Sequence, residues 1–275
     1  MKIFKIFSSF CYSYDAIDAY KRVFGESENI KLTESDDYTH AIILNIAMPD
    51  LKCPKENVIG FAFEPPIFLF LSDQFVNYVQ KNVGRYYIGE KYGLPEEFIE
   101  HQSFMWHIPI PVSINPKTKL MSIIISKKNI TENHRYRFDL AVALLINKFP
   151  VDVWGEGCEI IKNGGDRVKG KFVDKEPYDG YMYTIAIENY VHPEYISEKV
   201  LNPLFYRTIP LYIGATNIDN HFPGYTIKLT GDIQKDLNII YNVIMNKPLI
   251  VIDPIVVKER MDVWRHLDEI FDKEN

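Results

Sequence analysis

Two kinds of hydrophobic pattern alternate along the chain. Short, nearly continuous apolar runs rich in Ile, Val, Phe and Tyr are separated by longer segments whose apolar residues return every three or four positions. Runs of the first kind suit strands buried on both faces of a parallel sheet, and segments of the second kind suit helices with one apolar face. In the first half, strands are predicted over residues 2–8, 41–47, 57–63, 85–88 and 106–110, with helices over 15–24 and 72–81. The stretch 109–119 carries Pro109, Pro111 and Pro116 and few apolar positions. Proline fixes φ and removes a backbone donor, so this stretch reads as a linker.

A second series follows. Residues 120–126 form an apolar strand candidate, and Phe138, Val142, Leu145 and Phe149 recur on one face of a helix. Strands over 151–154, 183–187, 209–213 and 249–252 accompany helices over 198–206 and 236–245. Val257, Met261, Trp264 and Phe271 line one side of a C-terminal helix, which could pack on its own domain or back on the first. The expected architecture is α/β, with Rossmann-like domains over 1–115 and 116–275. Ligands of open parallel sheets sit beyond the carboxyl ends of the strands, so a ligand is expected in a cleft between the two domains.

Composition narrows the functional classes. The chain has 275 residues, with 31 Lys and Arg against 37 Asp and Glu, and this net charge of −6 argues against a nucleic-acid partner. Its 17 Phe, 18 Tyr and 3 Trp exclude a disordered chain. Cys11, Cys53 and Cys158 are odd in number and form no CxxC pair, which fits free thiols in a reducing compartment. The histidines show no metal-ligand spacing, so no metal site is expected. No apolar run approaches the ~20 residues that span a bilayer. Lys2 and Lys5 interrupt the N-terminal apolar segment, so it does not read as a signal peptide. A soluble, cytoplasmic protein with no membrane segment is the expectation.

Candidate chemistry concentrates in residues 183–223. A buried strand runs into Glu188 and Asn189, polar groups placed at its carboxyl end. A loop then leads to Ser197, Glu198 and Lys199 at a helix start, where Ser197 is a plausible N-cap. A helix N-terminus offers free N–H groups and partial positive charge to a phosphate, and Lys199 would add a mobile cation. Glu198 makes sense beside a phosphate if it faces a ribose. Upstream, Arg135 and Arg137 precede the helix that Phe138 opens.

These motifs resemble the signature of the α1,3/4-fucosyltransferase family: Glu188-Asn189, then Tyr195-Ile-Ser-Glu-Lys199, then Thr208-Ile-Pro-Leu-Tyr-Ile-Gly214. The order and the nine-residue step from Asn189 to Glu198 agree with that pattern. The resemblance extends more weakly from about Val58 to Pro223. It implies a GT-B-type inverting glycosyltransferase, with two Rossmann-like domains and a GDP-sugar held mainly by the second. Glu188, Asn189, Tyr195, Ser197, Glu198 and Lys199 would then form the nucleotide-sugar site, with Glu198 on the ribose and Lys199 on the diphosphate. An arginine, Arg137 ahead of Arg135, would neutralise the diphosphate. The donor is a substrate, GDP-fucose by family, and no cofactor is implied. The acceptor would be a glycan or glycoconjugate, as in protein glycosylation, joined in an α1,3-type linkage.

Inverting transfer needs a base for the acceptor hydroxyl, and a strand-end carboxylate can serve. Glu64, after Gly60-Phe-Ala-Phe63 and before Pro65-Pro66, is the first candidate, and the family places a Glu after a similar strand. Aromatic neighbours could raise its pKa toward that task. Glu90, after Tyr86-Tyr-Ile-Gly89, is the reserve. Aromatics such as Phe63 and Trp106 could stack on an acceptor sugar, and His107 and His134 could line the cleft. The absence of an Asp-x-Asp motif favours chemistry independent of metal. Three departures stand out: Tyr190 where the family usually has Ser, Arg207 where it usually has Gly, and, larger than either, a segment after Pro223 without the aromatic-rich pattern expected. They leave two other readings open, a non-catalytic nucleotide or glycan-binding module and a GT-B enzyme using another sugar nucleotide such as a UDP-sugar.

Overall fold

The computed structural model describes residues 1–162 and 164–272. By contacts these fall into two units. The first comprises Met1–Pro109, His192–Tyr195 and the stretch from Met261 onward, and the second comprises Ile110–Val191 and Ile196–Arg260.

The first unit is built on a six-stranded, all-parallel sheet in the order β2-β1-β3-β4-β5-β6. Its elements are β1 (Lys2–Ser8), α1 (Ser13–Phe24), β2 (Ile30–Leu32), β3 (His40–Leu44) and β4 (Val58–Phe61). There follow α2 (Pro66–Leu69), α3 (Asp73–Asn82), β5 (Arg85–Ile88) and β6 (Phe98–Glu100). In α1 the buried residues Ala16, Ile17, Ala19, Tyr20 and Val23 form the apolar stripe that fixes it to the sheet. On α3, Ser72 caps the first turn by accepting from the Phe75 N–H.

The second unit also has a six-stranded parallel sheet, ordered β12-β11-β10-β7-β8-β9. It contains β7 (Lys119–Ile124), α4 (Glu132–Ile146), β8 (Val151–Trp154), β9 (Val168–Gly170), β10 (Tyr181–Ile187) and α5 (Glu198–Phe205). The series continues through β11 (Ile209–Ile213), α6 (Ile218–His221), β12 (Ile227–Lys228), α7 (Ile233–Asn246) and α8 (Pro254–Arg260). The last helix, α9 (Val263–Asp272), belongs to the first unit. There Val263, Trp264, Leu267 and Phe271 join Phe4, Tyr20 and Ile42 in one apolar cluster. Trp264 Nε1 donates to the Gly25 carbonyl at 3.0 Å, and Lys2 pairs with Asp268 at 2.9 Å.

Several elements differ from expectation. No strand forms at 106–110. The chain there is extended without a ladder, and Trp106 packs against the core of its unit instead. Residues 249–252 also form no strand: they lie beyond Pro248, and Leu249 and Val251 are exposed. The single C-terminal helix is two, divided at Met261–Asp262. Most consequential is α4, which begins at Glu132 rather than at Phe138. Thr131 and His134 form a reciprocal cap there, so Arg135 and Arg137 lie within the helix and not ahead of it.

In both units the connection order reverses beside the first strand. In the first unit the reversal falls between β1 and β3, and in the second between β7 and β10. Open parallel sheets bind ligands beyond the carboxyl ends of strands at such a reversal.

Candidate functional site

At the second unit's reversal point, three pieces of chain meet: the end of β10, the first turns of α4 and the start of α5. Strand β10 is apolar and buried, and Glu188 and Asn189 follow it. Glu188 is wholly buried. Its Oε1 accepts from the Ser197 N–H at 3.1 Å, and its Oε2 accepts from the Ser197 hydroxyl at 2.6 Å. Ser197 caps α5 by accepting from the Lys199 N–H at 3.2 Å. Lys199 Nζ lies 2.8 Å from Glu198 and 3.7 Å from Glu188. Burial pushes the Glu188 carboxyl up, against the pull of Lys199. Burial works against the Lys199 ammonium too, but the carboxylates of Glu198 and Glu188 outweigh it and raise its pKa.

The packing of this turn explains a glycine in the signature. A Cβ on Gly214, just after β11, would overlap the Glu188 side chain and the Tyr212 hydroxyl. The departure at Arg207 has an equally local meaning. Its φ of 53° is left-handed, the conformation glycine adopts without steric cost. Thr208 proves to be a fastening. Its hydroxyl donates to the carbonyls of Tyr178 and Tyr181 and accepts from Lys117 Nζ at 2.8 Å. Burial lowers the Lys117 pKa to about 8.

From α4, Asn133 Nδ2 donates to the Glu188 carbonyl at 2.9 Å, and Arg137 donates to the Ile187 carbonyl at 2.8 Å. The helix thereby carries a buried guanidinium to the end of β10. Arg135, two residues earlier on the same helix, is exposed. His134 is buried, with Nδ1 at 2.6 Å from the Thr131 hydroxyl. Burial lowers its pKa to about 4, helped by the charges of Arg137, Lys128 and Lys199. Asn189 Oδ1 is buried and has no hydrogen-bond partner among the described residues. An orphaned buried acceptor costs roughly 1–3 kcal/mol and marks a place where a donor from a ligand would fit.

The structure therefore gathers Arg137, Glu188, Asn189, Ser197, Glu198 and Lys199 in one unit. Tyr195 is placed elsewhere: its ring is in the apolar cluster of the first unit, 5% exposed. No role for Asn133 was legible in the sequence, because the first turn of α4 is polar and shows no apolar spacing. Nor was one for Asp236, a buried carboxylate on α7 that accepts from Thr230, Gly231 and the Tyr136 hydroxyl and ties α7 to α4.

The two base candidates lie in the first unit. Glu64 is exposed, three residues beyond the end of β4. The preceding residue, Phe63, is fixed by its N–H donating to Asn45 Oδ1 at 2.8 Å. Pro65 and Pro66 do not end a helix here. Pro65 caps α2 and Pro66 occupies its first position, where the missing N–H costs nothing. Glu90 is committed to a partner, with Oε2 at 2.8 Å from Nε2 of the buried His192. His107 is buried with Nδ1 at 2.7 Å from the Ile108 carbonyl. No group of three or more His, Cys, Asp or Glu among the described residues is arranged to hold a metal ion. No helix among them is long and apolar enough to cross a membrane.

Comparison with known proteins converges on the same region. Residues 114–227 match the sequence model of the glycosyltransferase family 10 (fucosyltransferase) C-terminal region, so the resemblance read from the motifs holds. A candidate fucosyltransferase of Acanthamoeba polyphaga mimivirus is 27% identical over 173 residues, 55% of this chain and 27% of that protein. A GDP-fucose protein O-fucosyltransferase 3 of Xenopus tropicalis is 41% identical over 44 residues, 16% of this chain and 9% of that protein. The chain thus spans about a quarter or less of the length of these two relatives. Among solved structures, an α1,3-fucosyltransferase with GDP superposes with a TM-score of 0.58 at 12% identity, covering 100% of this chain and 91% of that one. The fold is the GT-B-like pair of Rossmann-like domains expected from the motifs.

Proposed function

We propose that this chain, a glycosyltransferase by the match of residues 114–227 to the family 10 C-terminal region, moves L-fucose from GDP-fucose to a hydroxyl of a glycan acceptor. Transfer inverts the anomeric carbon, needs no metal ion and makes an α1,3-type linkage. The observation that carries the reading is the convergence of the signature's charged residues on the reversal point between β7 and β10.

Each group has work suited to its surroundings. Arg137 and Lys199 supply the positive charge that a departing nucleoside diphosphate requires. Lys199, 21% exposed, exchanges Glu198 for a diphosphate oxygen, which leaves Glu198 to accept from ribose hydroxyls. Asn189 Oδ1 receives a donor from the nucleotide, which ends its isolation. Glu188 does not reach the ligand. Held by Ser197, it fixes the start of α5 against β10 and acts as a positioning residue. Glu64 takes the proton of the acceptor hydroxyl as its oxygen attacks the anomeric carbon and GDP departs. Glu90 is the weaker choice because His192 already engages it.

The test is a GDP-release assay with GDP-fucose in EDTA, with and without galactose- and N-acetylglucosamine-containing acceptors. Acceptor-dependent release is expected. Thermal stabilisation by GDP without release would overturn the donor or acceptor. Stabilisation by UDP and not GDP would move the chain to another sugar nucleotide, and silence in every arm would overturn the transferase reading.

A further inference from the structure

The reversal point of the first unit carries a cavity of its own, about 400 Å³, and no residue of the nucleotide site takes part in it. Tyr12 and Ser13 line it from the start of α1, and Ala47, Met48 and Pro49 line it from the chain after β3. Its size lies within the range of small-molecule sites, and its place is where an open parallel sheet presents a ligand. We infer that this cavity binds an uncharged pyranose ring, with the Tyr12 ring as its stacking face, and that the ring belongs to the acceptor. The word acceptor rests on the transferase reading above; the preference for a neutral sugar rests on the cavity alone.

Three observations carry the inference. First, no charged side chain lines the cavity, so nothing there compensates a phosphate or carboxylate. Second, two of its lining residues present large apolar groups to water: Tyr12 is 71% exposed and Met48 43%. The Tyr12 ring stacks on that of Tyr14 at 5.5 Å and 11°, which holds its orientation, and its exposure leaves a face for the C–H surface of a sugar ring. Third, Ser13 lines the cavity and its Oγ has no partner among the described residues, which leaves a hydroxyl for a sugar to engage. The loop before α1 is also coupled to the candidate base. Phe10 packs on Phe63 at 6.1 Å between ring centroids, and Phe63 directly precedes Glu64.

The experiment titrates the full chain with methyl β-galactoside, methyl N-acetyl-β-glucosaminide, N-acetyllactosamine and methyl β-glucuronide, followed by saturation-transfer NMR. GDP stabilisation is measured in parallel. Neutral sugars should bind and the glucuronide should not. Tyr12→Ala should weaken sugar binding about tenfold, near what the loss of an aromatic contact removes, while Tyr12→Phe keeps it and GDP binding stays unchanged in both. If the wild type binds GDP but no neutral sugar, or if Tyr12→Ala and Ser13→Ala both bind like the wild type, the inference is overturned and the transferase reading survives. If neutral sugars bind through Tyr12 but GDP neither binds nor is released, the cavity stands and the transferase reading falls.

Discussion

The carboxyl edges of the two sheets are alike in topology and opposite in content. Between β1 and β3 the crevice is open, uncharged and lined by the exposed ring of Tyr12. Between β7 and β10 it is filled by a buried carboxylate, a buried guanidinium, a partly covered ammonium and an orphaned amide oxygen. Buried charges are stable only when each has its partners in place. The second crevice is therefore rigid in design, and Glu188, Ser197, Lys199 and Gly214 constrain one another. The first has no charged lining that needs partners. One edge suits a ligand with fixed charge, the other a ligand whose identity varies.

The largest effect that would break this division is at Glu64. Glu64→Gln removes a base from the first edge and nothing from the second, so transfer should fall at least 100-fold while GDP still raises the melting temperature. Retained transfer would return the proton to another group, with Glu90 first in line.

Acid should act on both units. His107 in the first unit and His134 in the second are buried, and burial lowers each pKa from 6.5 to about 4. Such a histidine favours folding while neutral, and the unfolded chain takes up its proton first as pH falls. The stability it contributes is whole above about pH 6.5 and is lost on descending through about pH 4. For the more enclosed His107 this is on the order of 2–3 kcal/mol. Urea midpoints at pH 7 and pH 5 in the wild type and in His107→Gln should show a smaller acid loss in the variant; an equal loss would assign it to other groups.

A smaller effect sharpens the charged edge. Lys199→Ala should weaken GDP binding about tenfold by calorimetry, the loss of one charge-assisted contact, and leave sugar binding at Tyr12 untouched. Unchanged GDP affinity would mean that Lys199 serves only Glu198 and Glu188. The smallest is Arg207→Gly, which should stabilise by about 0.5–1 kcal/mol, because glycine takes the left-handed turn at Arg207 without strain. A destabilised variant would show that the exposed arginine has a contact worth more than that strain.

How much of this was legible in the sequence follows the same division. Charged residues at strand and helix ends, such as Glu188, Ser197 and Lys199, stand in fixed spacings because buried charge demands them, and those spacings could be read. The position of Arg137 could not be placed. Its helix opens with a polar turn, and Thr131 is capped by His134 where a Glu or Gln is the familiar signal. Strands β2, β6 and β9 are too short to show a period, and the apolar run 249–252 looked like a strand although Leu249 and Val251 face water. Tyr195 carried a motif position and an aromatic ring, and its burial in the first unit could not be separated from the motif by spacing alone. The Tyr12 face was invisible for the reason that makes it adaptable: no spacing rule governs a ring exposed on a loop.

The place of α9 has a consequence for how the protein is made. Synthesis runs from the N-terminus, and domains generally fold as they emerge from the ribosome. The second unit is complete once Arg260 has appeared, whereas the first began to appear with Met1 and still lacks Trp264, Leu267 and Phe271. Phe4 and Tyr20 stay short of their final neighbours until α9 has been translated. The nascent chain thus finishes its charged edge first, and its first-made sheet is the last to be sealed.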